Sequence, residues 1–148
     1  VVSAVKDRTN LISNKWKEEL YKYITGIITN KNQKLMIING MSDHIHLLIG
    51  FKPDCSLSDL VRDIKANSSK FINEKKLIMG KFEWQTGFGA FTVSQSQIEK
   101  VINYILTQEE HHKKKTFSEE YIEFLNVYQI DFKTEYVFDD IDAAPTEL

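Results

Sequence analysis

The sequence predicts an α+β fold of ferredoxin-like (RRM-like) type: an antiparallel sheet with two helices on one face, followed by C-terminal helices. Three observations predict it. Residues 43–51 alternate like a strand, with His44, His46 and Leu48 on one side and Ile45, Leu47 and Ile49 on the other. Two segments, 14–30 and 57–76, carry apolar residues at helical spacing. The elements also run β-α-β-β-α-β-α-α, and the first six match the ferredoxin-like order.

Each element has its own signal. Val1-Val2-Ser3-Ala4-Val5-Lys6 is the first strand, and it opens the chain with no leading loop or Met. Residues upstream of Val1 are therefore expected to be missing. Asp7 to Ser13 is polar and turn-like. Asn14 to Asn30 is a helix whose apolar stripe is Trp16, Leu20, Tyr23, Ile24, Ile27 and Ile28. Gln33 to Met41 is a strand, and Ser42-Asp43 joins it to the histidine strand as a hairpin. Pro53 to Ser56 breaks the chain. Ser56 or Ser58 caps a helix to about Lys76, with Leu57, Leu60, Val61, Ile64, Phe71 and Ile72 as its stripe. Ile78 to Gly89 is irregular and aromatic, and Phe91-Thr92-Val93 is a short strand. Ser94 or Ser96 caps a helix from Gln97 to His112, and Ser118 caps a last one from Glu119 to Val127. No repeat or low-complexity tract is present. Residues 1–130 read as one domain and 131–148 as an acidic C-terminal tail.

Composition narrows the function classes. The chain has 148 residues, 42% hydrophobic and 27% charged, as an ordinary globular domain has. No apolar run approaches the roughly 20 residues that span a membrane. Charges scattered through Val1 to Leu20 argue against a signal peptide, so a cytoplasmic location is expected. The single cysteine, Cys55, excludes an internal disulfide and a cysteine-based zinc site, and nothing nearby makes it reactive. The formal charge of -2 hides an asymmetry. Residues 1–115 carry 18 Lys and Arg against 12 Asp and Glu; residues 116–148 carry Lys133 alone against nine acids. The basic body could face phosphates, and the tail could not.

The chemistry-bearing residues fall in two places. His44 and His46 project side by side from one strand face. Neutral imidazoles placed so can share one metal ion, or be satisfied by hydrogen bonds as structural residues. On the helix from Gln97, Ile98, Val101, Ile102, Ile105 and Leu106 form one apolar arc. Tyr104 and Gln108, four apart, stack on its edge. A tyrosine there is usually a core residue with a polar tip. Next to a metal, its hydroxyl can be a nucleophile, and Gln108 can offer its carbonyl oxygen to a hard cation or to a substrate.

These motifs together resemble the single-tyrosine transposases of the HUH nuclease superfamily, of the IS-200/IS-605 insertion-sequence type. The likeness runs through Val1-Val2-Ser3-Ala4-Val5-Lys6-Asp7-Arg8, Asn39-Gly40-Met41-Ser42-Asp43-His44-Ile45-His46-Leu47-Leu48, Trp84-Gln85-Thr86-Gly87-Phe88-Gly89-Ala90-Phe91 and Tyr104-Ile105-Leu106-Thr107-Gln108-Glu109-Glu110-His111-His112. The resemblance implies a transposase that cuts and rejoins single-stranded DNA with hairpin ends. His44, His46 and Gln108 would hold Mg2+ or Mn2+, and Tyr104 would attack the scissile phosphate to give a 5′-phosphotyrosine. No nucleotide cofactor would be needed. A homodimer is also implied, with each active site pairing the histidines of one subunit with the tyrosine helix of the other.

Other residues carry two readings each. Lys6 and Arg8 after the first strand, and Lys65 and Lys70 with Ser68 and Ser69 on a helix face, could contact DNA or meet only water. His112 and Lys113, with His111, Lys114 and Lys115, could bind phosphate or complement a helix C-terminus. Trp84 and Phe88 could stack on a base or pack in the core. Tyr21, Tyr23, Tyr121, Tyr128 and Tyr136 lack the matching motif and are rejected as nucleophiles. Two other functions compete: a related HUH nickase, such as a replication initiator, relaxase or domesticated repeat-associated transposase, and a non-catalytic nucleic-acid-binding module. The latter uses aromatics on the open sheet face, where this chain has His44, His46 and Leu48.

Overall fold

The structure, a computed structural model, describes residues 1–90 and 92–107 together with 119 and 122, and Arg8 by its backbone alone. Phe91, Gln108, His111, His112, Lys113, Ser118 and the acidic tail lie outside them. The elements are β1 (Val2–Ala4), α1 (Lys17–Asn30), β2 (Lys34–Met41), β3 (His44–Gly50), α2 (Leu57–Glu74) and α3 (Ile98–Leu106). Short 3-10 turns stand at Lys6–Arg8 and Gln95–Gln97. The sheet is antiparallel, with β3 between β1 and β2. The fold is α+β, as the sequence predicts.

Alternation along β3 divides the protein into two cores. Ile45 and Leu47 face the helices and pack with Val5, Leu20, Tyr21, Ile24, Ile28, Leu60, Ile64 and Ile72. Burial of each such side chain is worth about 1.5–3 kcal/mol. The opposite face carries Val2 and Ala4 under Val101 and Ile105 of α3, so that face is partly roofed rather than open. Strand β2 reaches both cores through a bulge at Met36: Leu35 pairs with Ile49, but Ile37 pairs with Leu48. The extra residue puts Leu35 and Ile38 against the helices and Ile37 on the α3 side.

Helix boundaries follow local chemistry. Ser56 Oγ accepts the Asp59 amide at 3.1 Å and starts α2. Just beyond the C-caps of α1 and α2 stands a residue with left-handed backbone, Asn32 and Lys76. The next amide then bonds back into the last turn, Gln33 to Ile28 and Leu77 to Ile72. Neither Ser94 nor Ser96 caps α3; their hydroxyls meet each other at 3.2 Å, and Ser94 instead heads the Gln95–Gln97 turn. On α1, Tyr21 is buried, whereas Tyr23 is 41% exposed and meets Phe71 edge-on with centroids 4.4 Å apart. Leu57 and Leu106 are exposed because each is the terminal residue of its helix. Glu119 and Ile122 are helical, where the last helix was expected.

The sheet edge differs from expectation. Thr92 and Val93 form no strand. The place beside β1 is taken by residues 83–89 instead. The Lys6 amide donates to Glu83 O at 3.0 Å, Gln85 N donates to Ala4 O at 2.7 Å, and Val2 and Gly89 exchange bonds of 2.8 and 3.0 Å. A polar ladder on α2 holds this segment. Lys65 Nζ donates to Gln85 O at 2.7 Å and Gly87 O at 2.8 Å. Ser68 Oγ accepts the Trp84 indole N–H at 2.9 Å, and the Asn73 amide exchanges bonds of 2.7 and 3.0 Å with the Phe82 backbone. Gly87, with φ 81°, supplies a left-handed bend that other residues resist. Lys65 and Ser68 thus turn toward residues 84–87. Ser69 bonds back to Lys65 O, and Trp84 is a core residue edge-on to Phe82.

Burial holds the Lys65 ammonium below its ordinary pKa of 10.5. Lys65→Met should cost about 1–3 kcal/mol in urea unfolding, because it strands two carbonyls. The unfolded chain binds the Lys65 proton more tightly than the fold does. The stability advantage of wild type over Lys65→Met should therefore grow as pH rises through the lowered pKa toward 10.5, and shrink as pH falls.

Candidate active site

The hairpin turn at Ser42 and Asp43 sets Met41 opposite His44, Gly40 opposite Ile45 and Asn39 opposite His46. The strands close tightly here. A Cβ added at Gly40 would overlap the His44 carbonyl oxygen and lie 2.8 Å from Ile45 Cα. Only glycine allows this approach, so Gly40 positions the histidine strand.

His44 is fully buried and His46 is 5% exposed. Their rings meet edge-on, with centroids 5.1 Å apart. His44 Nδ1 lies 2.7 Å from Asp43 Oδ1. With the proton on Nδ1 and donated to that carboxylate, the ring's lone pair stands on Nε2. A carboxylate behind a histidine is the usual support of a metal-binding imidazole.

Tyr104 arrives from α3. Val101 and Ile105 pack against Val2 and Ala4, the β1 partners of His46 and His44. Tyr104 is half-buried at the margin of that cluster, its ring 6.0 Å from His46 between centroids and nearly perpendicular to it. One polar contact fixes the end of the helix. Asn39 Nδ2 donates to Ile105 O at 2.9 Å and Leu106 O at 3.4 Å, two carbonyls of the last helical turn. Asn39 is also the cross-strand partner of His46, so a single side chain ties the tyrosine helix to the histidine strand.

The structure thus brings together His44, His46 and Tyr104 from one chain. Gln108 lies outside the described residues, as do His112 and Lys113 and the side chain of Arg8. Lys6 pairs with Glu83 at 3.0 Å on the surface. Glu83 raises the pKa of Lys6, while Lys6 and Lys81 lower that of Glu83. Lys70 is exposed and stands 3.9 Å from Glu74. Among the described residues, no three His, Cys, Asp or Glu side chains converge on one point. Asp43, Asn39 and Gly40 carried no individual role in the sequence reading. The two-residue turn was the signal that could have found them, because it fixes which residues face the histidines.

Comparison with known proteins bears on the family and the fold. A family model described as "Transposase IS200 like" matches residues 1–108. A protein from Deinococcus radiodurans R1, described as a transposase, has a similar structure, with a TM-score of 0.57 and 25% identity over 72% of this chain and 86% of its own. A REP-associated tyrosine transposase bound to a REP hairpin shares the fold, with a TM-score of 0.59 and 14% identity over 99% of this chain and 88% of its own. No curated protein matches the sequence.

Gly40→Ala should lower stability by about 1–3 kcal/mol through overpacking. It should also shift the NMR resonances of the His44 and His46 rings, while those of Tyr23 on the far face stay in place.

Proposed function

The chain belongs to the IS200-like transposase family, and we propose that it cuts and rejoins single-stranded DNA through a covalent link to Tyr104. The observation that carries this reading is the Tyr104 ring 6.0 Å from His46, whose neighbour on the same strand face is His44. A phenol on α3 and two imidazoles on β3 stand together, which supports the roles of nucleophile and cation ligands.

The donor set suits a divalent cation: two imidazoles on one face, one of them backed by the Asp43 carboxylate. His44 and His46 would hold Mg2+ or Mn2+, with Gln108 as the further ligand that the family resemblance implies. When bound, the ion polarises a non-bridging phosphate oxygen and offsets the charge that develops during displacement.

The chain's own groups do the rest. Tyr104 Oη gives up its proton to solvent water and attacks the scissile phosphorus. The Oη–P bond forms, the P–O3′ bond breaks, and the departing 3′ oxygen takes up a proton. The products are a 5′-phosphotyrosine and a free 3′-OH. The phosphodiester energy stays in the covalent link, so a 3′-OH can reverse the step without a nucleotide cofactor. Asn39 keeps the phenol beside His46 by holding the end of α3.

The ligand of this reading is single-stranded DNA with hairpin ends. The hairpin bound to the REP-associated neighbour supports it and favours a second reading, action on repeated chromosomal sequences. Only the DNA substrate separates the two. Lys6, Arg8, Lys70, His112 and Lys113 would meet the DNA backbone. A homodimer belongs to the same proposal, and sedimentation tests it. No helix among the described residues is long and apolar enough to cross a membrane.

The test incubates the protein and Mn2+ with a pool of single-stranded, hairpin-bearing oligonucleotides and looks for a denaturation-resistant adduct. Wild type should form one; Tyr104→Phe, His46→Ala and chelated wild type should not. An undiminished adduct with Tyr104→Phe, or none with wild type, sinks the mechanism. Asn39→Leu should slow adduct formation about 10- to 100-fold while leaving DNA affinity near wild type, because misplacing a nucleophile costs rate rather than binding.

A further inference from the structure

We propose that Gln85 is a further ligand of the cation held by His44 and His46, reaching it across Ala4. The inference rests on the divalent-cation reading given above.

The starting observation is an unsatisfied atom. Gln85 is 6% exposed, and among the described residues its buried Oε1 has no hydrogen-bond partner. A buried acceptor left unpaired is costly and calls for an explanation. The backbone shows which face Gln85 occupies. Phe82 and Trp84 belong to the core on the helix side. Residues 82–85 run alongside β1 as extended chain, with Lys6 N bonded to Glu83 O and Gln85 N bonded to Ala4 O. Gln85 therefore alternates to the opposite face, the one that carries Ala4 beneath α3.

Ala4 pairs with His44. Gln85, Ala4 and His44 thus form one row across three neighbouring chains. Neighbouring strands lie about 4.8 Å apart, so the Gln85 and His44 backbones are roughly 10 Å apart. Within that row, the side chain that stands between them is the Ala4 methyl group. A glutamine and an imidazole can lean toward each other over it, whereas a larger residue at position 4 would wall them apart.

The chemistry of the atom selects the ligand. Oε1 is an acceptor only, so it wants a cation or a hydrogen-bond donor. Carboxamide oxygens are regular ligands of hard divalent cations. The two imidazoles need further donors to complete a site, and no third His, Cys, Asp or Glu converges with them among the described residues.

The test titrates Mn2+ into DNA-free protein and reads free ion by electron paramagnetic resonance. Gln85→Met should weaken Mn2+ binding about 10-fold or more, the scale on which groups around a metal act. Its metal-free unfolding midpoint should equal or exceed that of wild type, because the unpaired acceptor is gone. Gln85→Glu should tighten binding and carries the test if Gln85→Met does not fold. Wild-type affinity in both variants overturns the proposal. So does a purely structural pattern, in which the metal-free midpoint falls and affinity is unchanged. If wild type binds no Mn2+ while His46→Ala behaves identically, the cation reading fails and this inference falls with it; a binding wild type with an unaffected Gln85→Met rejects Gln85 alone.

Discussion

A turn of two residues, Ser42 and Asp43, places Gly40 against Ile45 and Asn39 against His46. The absence of a side chain at Gly40 lets the two strands close at this point. A slip of one residue in that pairing would invert both faces of β3, sending the imidazoles into the helix core and Ile45 and Leu47 toward α3. The apolar residues of β3 therefore guard the register, and the histidines inherit their position from it. Asp43 adds a second consequence of the turn, since its carboxylate meets the His44 ring that follows it.

Two forces then place the tyrosine. Burial of Val101 and Ile105 against Val2 and Ala4 holds α3 on the sheet, at about 1.5–3 kcal/mol for each side chain. The bond from Asn39 to the end of the helix is worth about 1 kcal/mol. Burial contributes more, but it is not directional. The hydrogen bond selects where along its axis the helix stops, and that choice puts Tyr104 beside His46. Adhesion and alignment come from different residues, so α3 can stay docked while its tyrosine is misplaced.

Much of this was legible in the sequence. Alternation in β3, helical stripes in α1 and α2, the Ser56 cap and the order of elements each rest on local periodicity or local hydrogen bonding. The features that escaped depend on contacts distant in sequence. Lys65 looks like a surface lysine until residues 82–87 fold back onto α2 and supply two carbonyls. Phe91-Thr92-Val93 read as a short strand, but the ladder of Lys65, Ser68 and Asn73 holds residues 83–89 beside β1 instead. Tyr21 and Tyr23 both fit the α1 arc, and only the packing against α2 decides which is buried. In the site, the histidine pair and Tyr104 were visible as chemistry-bearing residues. Asn39 and Gly40 were not, because their roles come from what stands opposite them.

We propose that His44, His46 and Tyr104 form one cation-centred site on the α3 side of the sheet. Paramagnetic line broadening in the DNA-free protein tests it most directly. With Mn2+ added at sub-stoichiometric levels, the ring resonances of His44, His46 and Tyr104 should broaden first. Those of Tyr23 and Phe71, on the helix side, should stay sharp. Broadening centred on the helix side, or a Tyr104 ring unaffected while the histidines broaden, would contradict the account.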